Sequence, residues 1–252
     1  MKSASKKTKI EVSAYSVQWA IDAQTAGADR VELCDNIHEG GTTPSYASIE
    51  LTRKQLDIEL YVIIRPRGGD FLYSDVEFET MKRDIQIAKE LGVDGLVFGL
   101  LNIDGRIDTK RTKELVELSK PLPVTFHRAF DVAKNPFQAL EDVISIGCKR
   151  ILTSGQKATA YEGLNLLTEL VKKAGNRISI MPGSGINENN ILEIKNKSKA
   201  FEFHLSGKKT VKSPMEYVNR AVSFNALNRN AVPEYAVADV KRIRMVAKRL
   251  KL

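Results

Sequence analysis

The stretch AGADRVELC covers residues 26–34. Its glycine, Gly27, follows a segment with a helical pattern, and its last five residues suit a β-strand. Two later stretches repeat the same arrangement: LGVDG at residues 91–95 and IGCKR at residues 146–150. In each, the glycine stands just past a predicted helix end, where a left-handed backbone is needed, and the next strand follows at once. The repetition indicates a fold built from one β/α unit used several times.

On both sides of these turns, short apolar runs alternate with longer segments of helical spacing. We predict eight strands, over residues 9–13, 30–34, 60–65, 95–99, 123–127, 149–153, 177–181 and 201–205. Helices are predicted between them, including residues 16–26, 78–91, 109–119, 137–146, 163–174 and 189–195. Ser16 is expected to cap the first helix, and Asn135 with Pro136 to begin another. This alternation predicts an α/β protein formed by a single (β/α)8 TIM-type barrel; a doubly wound open sheet is the competing architecture.

The composition fits one globular domain of barrel size, because 42% of the 252 residues are hydrophobic and 28% are charged. An apolar run of about 18 residues is absent, so we expect no transmembrane helix. The N-terminal residues lack the apolar segment of a secretion signal. Cys34 and Cys148 are too few for a disulfide scaffold. We therefore expect a cytoplasmic protein with two reduced thiols.

The net charge of +8 is concentrated at the two ends of the chain, since residues 1–9 and 241–252 contain no acidic residue. We predict a basic tail over residues 1–9, the barrel over residues 10–235 and a basic C-terminal helix over residues 236–252. Basic ends of this kind are more often solvated than bound to nucleic acid, which requires a basic patch on the folded body. We expect neither a nucleic acid nor a membrane as a partner.

Side chains alternate along a strand, and this alternation predicts which of them point into the barrel. On the first strand Ile10 and Val12 suit the side that faces the helices. The same parity turns a polar set inward: Glu11, Ser13, Glu32, Cys34, Thr125, His127, Glu202 and His204. Barrel interiors are normally packed with branched apolar residues, so the set predicts a functional cluster, with Glu11, Glu32 and His127 as acid–base groups. The alternative is that each buried acid is only a structural hydrogen-bond partner.

Arginines follow the third and fifth predicted strands at the same end of the barrel. Arg65, Arg67 and Arg128 are candidate anion-binding residues, because a guanidinium group binds carboxylates and phosphates through a fork of N–H donors. The alternative is that Arg65 and Arg128 pair with Glu32 or Asp131 and only make the mouth of the barrel rigid.

Glycine-containing turns follow the seventh and eighth predicted strands. Many barrels bind phosphate at these two turns through backbone N–H groups. Gly183, Gly185, Ser206 and Gly207 are therefore added to the predicted anion site.

Six stretches stand in order along the chain: ADRVELC at residues 28–34, EGGTTPS at 39–45, IRPRGGDF at 64–71, TFHRAFD at 125–131, LTSG at 152–155 and EFH at 202–204. Together they resemble the CutC family of copper homeostasis proteins, over nearly the whole chain. The resemblance implies a TIM-type barrel, a cytoplasmic location and self-association as a homo-oligomer. It also implies a role in copper homeostasis through binding of Cu(I).

The same resemblance implies Cys34 as the central copper ligand, with His204 or Met181 assisting. Cu(I) prefers thiolate and thioether ligands. In copper-binding members a cysteine of the first strand can accompany the one that ends the second, and Ser13 stands at that position here. Cys148 is predicted at the opposite end of the barrel, so it does not replace the missing thiol.

Two hypotheses for the function follow from the sequence. The first is a copper-binding protein, and the second is an enzyme that acts on a small anionic or phosphorylated substrate, as a lyase, isomerase or hydrolase. A scaffold without a ligand leaves the inward polar groups unexplained.

Overall fold

The structure, a computed structural model, describes residues 7–217, 219, 221 and 234–251. Strands β1 to β8 are Lys9–Ala14, Arg30–Leu33, Glu59–Ile63, Gly95–Phe98, Val124–Phe126, Arg150–Thr153, Ser179–Pro182 and Glu202–Leu205. Helices α1 to α7, which alternate with these strands, are Val17–Thr25, Tyr46–Gln55, Asp75–Glu90, Thr109–Ser119, Pro136–Ile146, Leu164–Ala174 and Ile191–Ser198. Helix α8, Val240–Lys251, ends the described chain.

The strand order shows how the sheet closes. The hydrogen-bonded order is β7-β6-β5-β4-β3-β2-β1-β8, and every pair in it is parallel. Strands β7 and β8 stand at the two ends of this row and contact each other. Because the strands follow one another in sequence order around a nearly closed ring, the predicted (β/α)8 barrel is confirmed and the doubly wound alternative is wrong.

The local signals in the sequence correspond to observed turns and caps. Ser16 accepts a hydrogen bond from the backbone N–H of Trp19, and Asn135 caps α5 with Pro136 as its first residue. The three glycines of the repeated turns, Gly27, Gly92 and Gly147, have φ of 97°, 74° and 97°. This left-handed conformation is the one that the turns predicted.

Two parts of the fold are missing from the sequence prediction. Helix α2 buries only Ile49 and Thr52, so its apolar face is too narrow to give a clear helical pattern. After β8, an antiparallel hairpin is formed by β9, Lys208–Lys212, and β10, Glu234–Ala238. Strand β9 is almost entirely exposed and mostly lysine, and therefore lacks the apolar alternation by which a strand is recognised.

The ends of the chain are described in part. Residues 1–6 of the predicted tail lie outside the described residues, as do 218, 220, 222–233 and 252. Helix α8 packs on the barrel through Ile243, Val246 and Leu250, which are buried. Among the described helices, none has the length and apolar character that crossing a membrane requires.

The core has two layers of different chemistry. Between strands and helices it is apolar, with Ile10, Val12, Val31 and Leu33 fully buried. Inside the barrel the layer is ionic and is centred on Arg30, whose side chain is 1% exposed.

Arg30 joins carboxylates from three strands. Its Nε donates to Glu11 at 2.5 Å, its Nη2 to Glu202 at 2.7 Å and its Nη1 to Glu59 at 3.1 Å. Arg150 donates from Nε to the same Glu202 oxygen at 2.6 Å. The four charges of Arg30, Arg150, Glu11 and Glu202 balance, which is the condition for keeping ions out of water.

Removing Arg30 is expected to destabilise the barrel strongly. The Arg30→Met variant leaves Glu11 and Glu202 short of a counter-ion, so we expect the free energy of unfolding to fall by about 3–5 kcal/mol. Urea denaturation followed by circular dichroism measures the change. Lys9→Met is the control, because it breaks an ion pair with Glu59 whose side chains are 39% and 37% exposed; its cost is expected below about 1 kcal/mol. Equal costs in the two variants would contradict the central role of Arg30.

Candidate functional site

A cavity of about 660 Å³ opens at the C-terminal ends of the strands. Its walls include polar side chains from β2, β8 and the loops after β3 and β5, among them Glu32, Arg65, His127, Arg128 and His204. The volume suits a small organic molecule. The cavity lies at the end of the barrel where parallel β/α barrels carry their chemistry.

Three titratable side chains of β1, β2 and β8 meet at the floor of this cavity. His204 Nδ1 is 2.8 Å from Glu11 Oε1 and 3.7 Å from Glu32 Oε2. The other oxygen of Glu11 accepts from Arg30. In the parallel register Glu11 stands opposite His204 of β8, whereas Glu32 stands opposite Ser13, two residues further along β1 towards the mouth of the barrel. The inward parity of the three strands brings the side chains together across this offset.

The two carboxylates of this group differ in their pKa values. Burial raises the pKa of Glu11, but the charge of Arg30 and the hydrogen bond with His204 outweigh it and hold that pKa well below its usual value. Glu32 has no hydrogen bond to a guanidinium, so burial, together with the charge of Glu11, raises its pKa from 4.5 to about 7. One acid is therefore fixed as an anion, and the other exchanges its proton near neutral pH.

The pKa of His204 is raised. Burial lowers it, but the hydrogen bond with Glu11 and the charges of Glu32 and Glu11 act in the opposite direction and prevail. The His204 ring thus stands between a carboxylate that is held as an anion and one that titrates near neutral pH. The sequence placed His204 among candidate copper ligands, whereas its contacts are those of a proton-sharing group.

His127, at the end of β5, is a neutral hydrogen-bond donor. Burial and the nearby Arg65 charge lower its pKa to about 3. Its Nδ1 accepts from the backbone N–H of Ala129 at 3.2 Å, which assigns the hydrogen to Nε2. Within the described part of the chain, this buried Nε2 has no hydrogen-bond partner. A ligand oxygen in the cavity would satisfy it.

The three predicted anion-binding arginines have different surroundings. Arg65 lines the cavity, but its guanidinium donates to the carbonyls of Glu39, Gly41 and Gly69, so the predicted alternative of pairing with Glu32 is not found. Arg65 therefore mainly orders the loops at the mouth.

Arg128 also lines the cavity, and it pairs with Asp131 at 2.7 Å, as the structural alternative predicted. Its side chain is 43% exposed, so it stays open to a ligand. Arg67 is not among the cavity-lining residues; it is bound by Glu77, Asp70 and the carbonyl of Leu72. We leave Arg67 out of the candidate anion site.

The turns after β7 and β8 contain glycine for a packing reason. A Cβ on Gly207 would lie 2.3 Å from Ile243, and one on Gly183 would lie 2.5 Å from Leu152. Gly185 has φ of 69°, in the left-handed region. Gly185 and Gly207 line the cavity together with Ser206, whereas Gly183 is not among the lining residues, so this glycine pattern alone does not identify a phosphate site.

The predicted copper ligands do not form one set of donors. Cys34 is buried in a small apolar cluster with Tyr61, Ile63 and Val97, and burial raises the pKa of its thiol well above the usual value. The sulfur of Met181 accepts from Arg30 at 3.6 Å, inside the barrel. Of the three predicted ligands, only His204 lines the cavity. Soft sulfur donors for Cu(I) therefore do not converge here.

One group of donors has a spacing that a metal ion can bridge. Donor atoms of Glu11, Glu32 and His204 lie within 4.8 Å of one another. Two oxygens and one nitrogen are not the donors that Cu(I) prefers. His204 and Arg30 already bind the two oxygens of Glu11, and the guanidinium of Arg30 balances its charge.

Sequence reasoning missed Arg242, which also lines the cavity. It lies on α8, far along the chain from the barrel strands, in a segment that reads as a solvated basic helix. Only the packing of α8 against the turn after β8 reveals its position.

Comparison with known proteins identifies the family. The model of the CutC family matches residues 8–209. A CutC family protein of Bacteroides fragilis is 52% identical over 235 residues, covering 93% of this chain and 94% of the relative. The human copper homeostasis protein cutC homolog is 46% identical over 235 residues, covering 93% and 86%.

Solved structures agree with this assignment. The CutC protein of Streptococcus agalactiae superposes with a TM-score of 0.76 at 36% identity, covering 79% of this chain and 98% of that one. A phosphoribosylanthranilate isomerase of Thermotoga maritima has a TM-score of 0.59 at 11% identity, covering 97% and 98%, and shows the barrel fold alone. From the family match and from relatives about half identical over most of its length, we conclude that this chain belongs to the CutC family.

Proposed function

We propose that this CutC family member binds a small anionic molecule at the mouth of its barrel and moves a proton to or from it. The observation that carries the proposal is the pair formed by Glu32 and His204. A buried carboxyl with a pKa near neutrality, facing a cavity of ligand size, is what general acid–base catalysis requires.

Glu32 is the proton carrier in this proposal. With a pKa of about 7, its protonated and ionised forms are both present at physiological pH. It can accept a proton in one step and return it in the next without a large energetic penalty.

Glu11 and His204 act as positioning residues for Glu32. Glu11 is held as an anion by Arg30 and fixes the His204 ring through Nδ1. When the ring is protonated, its charge stabilises the ionised form of Glu32 and limits the rise of the Glu32 pKa. We therefore assign the proton transfer to Glu32, and a supporting role to Glu11.

His127 and Arg128 complete the proposed site. The unpartnered Nε2–H of His127 suits a ligand carbonyl oxygen, and Arg128 adds positive charge at the same mouth. Proton abstraction next to a carbonyl places negative charge on that oxygen, which a neutral histidine donor stabilises. This pairing favours an isomerase or lyase that passes through an enolate.

The stability of the protein should depend on pH through Glu32. Its pKa is raised on folding from 4.5 to about 7, so the native state holds a proton that the unfolded chain releases. Stability is therefore lost as the pH rises from 4.5 towards 7, by up to about 3 kcal/mol at 1.36 kcal/mol per unit of pKa. His204, whose pKa is also raised, acts with the same sign above its unfolded value of 6.5.

The Glu32→Gln variant tests this dependence. We expect its free energy of unfolding to exceed that of the wild type by an amount that grows between pH 5 and 8, measured by urea denaturation. Glu50→Gln on the exposed face of α2 is the control and should follow the wild type at every pH. A difference between wild type and Glu32→Gln that does not change with pH would show that Glu32 has an ordinary pKa.

The proposed chemistry is tested with a panel of small carboxylated and phosphorylated carbonyl compounds. Compounds that raise the melting temperature are then incubated with the protein in D2O, and exchange of the hydrogen next to the carbonyl is followed by NMR. We expect Glu32→Gln to keep the thermal shift and to slow the exchange by about 10²-fold or more. A panel without any stabilising compound, or exchange that Glu32→Gln leaves unchanged, would refute the proposal.

Copper ion binding is a second candidate function, favoured by the name of relatives such as the human cutC homolog. In this chain Cys34 is buried in a cluster with Tyr61 and Ile63 and does not line the cavity, and Met181 is bound by Arg30. A Cu(I) site made from these residues requires rearrangement of the barrel interior.

Anaerobic competition with a Cu(I) chelator separates the two functions. We expect Cys34→Ser to change the apparent Cu(I) affinity by less than about threefold, because one buried, protonated thiol is a poor trap for Cu(I). Cys148→Ser is the matched control, since Cys148 is also buried but precedes β6 at the other end of the barrel. A large loss confined to Cys34→Ser would instead support copper binding.

A further inference from the structure

Arg242 is held at the rim of the cavity by the start of α8. The N–H of Asp239 donates to the carbonyl of Gly207 at 2.6 Å, which attaches the beginning of the helix to the turn after β8. The carboxylate of Asp239 then accepts from the backbone N–H of Arg242 at 3.1 Å. These contacts place Arg242 on the first turn of α8 beside the cavity.

Only two of the three guanidinium nitrogens of Arg242 have a nearby acceptor among the described residues. Its Nε lies 3.3 Å from Glu188 Oε2, and its Nη1 lies 3.5 Å from the carbonyl of Lys208. Its Nη2 has no acceptor among the described residues, and the side chain is 41% exposed. The ammonium group of Lys208, which lines the same cavity, has no carboxylate partner in the described part of the chain.

Backbone N–H groups of two turns belong to residues that line the same cavity. Gly185 and Ile186 after β7, and Ser206 and Gly207 after β8, all line it. Their N–H groups donate to no acceptor within residues 7–217 and 234–251. Backbone N–H groups without protein acceptors on two adjacent turns are suited to an anion.

We propose that these two turns, with Arg242 and Lys208, bind the phosphoryl group of a phosphomonoester. A phosphomonoester presents three terminal oxygens and close to two negative charges, and so can use donors from several directions at once. A carboxylate presents two oxygens in one plane and would leave part of this donor set unused. The proposal rests on the proposed function and specifies its substrate class.

An independent feature of the cavity also points to a ligand. The buried His127 is 5% exposed and lines the cavity, and its Nε2–H has no acceptor among the described residues. Phosphate at the β7 and β8 turns would leave the remainder of the molecule to extend towards His127 and Glu32. The substrate is thus a small phosphorylated compound with an oxygen function at its other end.

The test uses the full chain and inorganic phosphate as the probe. Affinity is measured by calorimetric titration at constant ionic strength, with chloride as the reference salt and acetate as a carboxylate comparison. We expect phosphate to bind more tightly than acetate, and Arg242→Gln to weaken phosphate about tenfold or more, as expected for loss of a charge-assisted contact. Arg249→Gln removes the same charge from an exposed position of α8 and should change the affinity less than about twofold.

The outcomes separate this inference from the proposed function. The phosphate subsite is refuted if the wild type does not bind phosphate, or if Arg242→Gln and Arg249→Gln lose the same phosphate affinity. This holds even if a ligand whose reaction depends on Glu32 is found. Phosphate binding that requires Arg242 supports the subsite. If no compound then exchanges a hydrogen in D2O, only the proposed proton transfer is refuted. Circular dichroism of each variant confirms that the barrel is intact.

Discussion

The structure depends on the charge balance inside the barrel. Arg30 lies between Glu11 and Glu202, and Arg150 shares the second of these carboxylates. Ions buried at this depth are tolerated only when each has a partner at hydrogen-bond distance. The network therefore fixes the relative positions of β1, β2, β6 and β8 and forms a solid floor beneath the cavity.

The same network makes the two carboxylates above it unlike each other. Glu11 is bound to Arg30 and remains an anion, whereas Glu32 on the neighbouring strand is left with burial and the Glu11 charge, which raise its pKa to about 7. Sites that perform acid–base chemistry separate the pKa values of adjacent groups by such differences in environment. The stability of the barrel and the proposed reactivity of its mouth thus have one physical origin.

The surroundings of the Cys34 and Met181 sulfur atoms differ from those of a Cu(I) site, although the chain belongs to the CutC family. Relatives of this chain are named for copper homeostasis, yet here Cys34 lies in an apolar cluster and Met181 accepts from a guanidinium. The polar side chains at the mouth offer oxygen and nitrogen atoms, which suit the proposed proton transfer and anion binding.

The sequence by itself determined the barrel and the inward direction of Glu11, Glu32, His127 and His204. Glycines at helix ends and the alternation of side chains along strands are local properties, and each is visible within a few residues. Only the tertiary structure decided which partner each group meets: Arg30 for Glu11, loop carbonyls for Arg65, and the cavity rim for Arg242. Partner choice depends on contacts between residues far apart in sequence, such as Glu11 and His204, which are 193 positions apart, and no local pattern encodes such pairings.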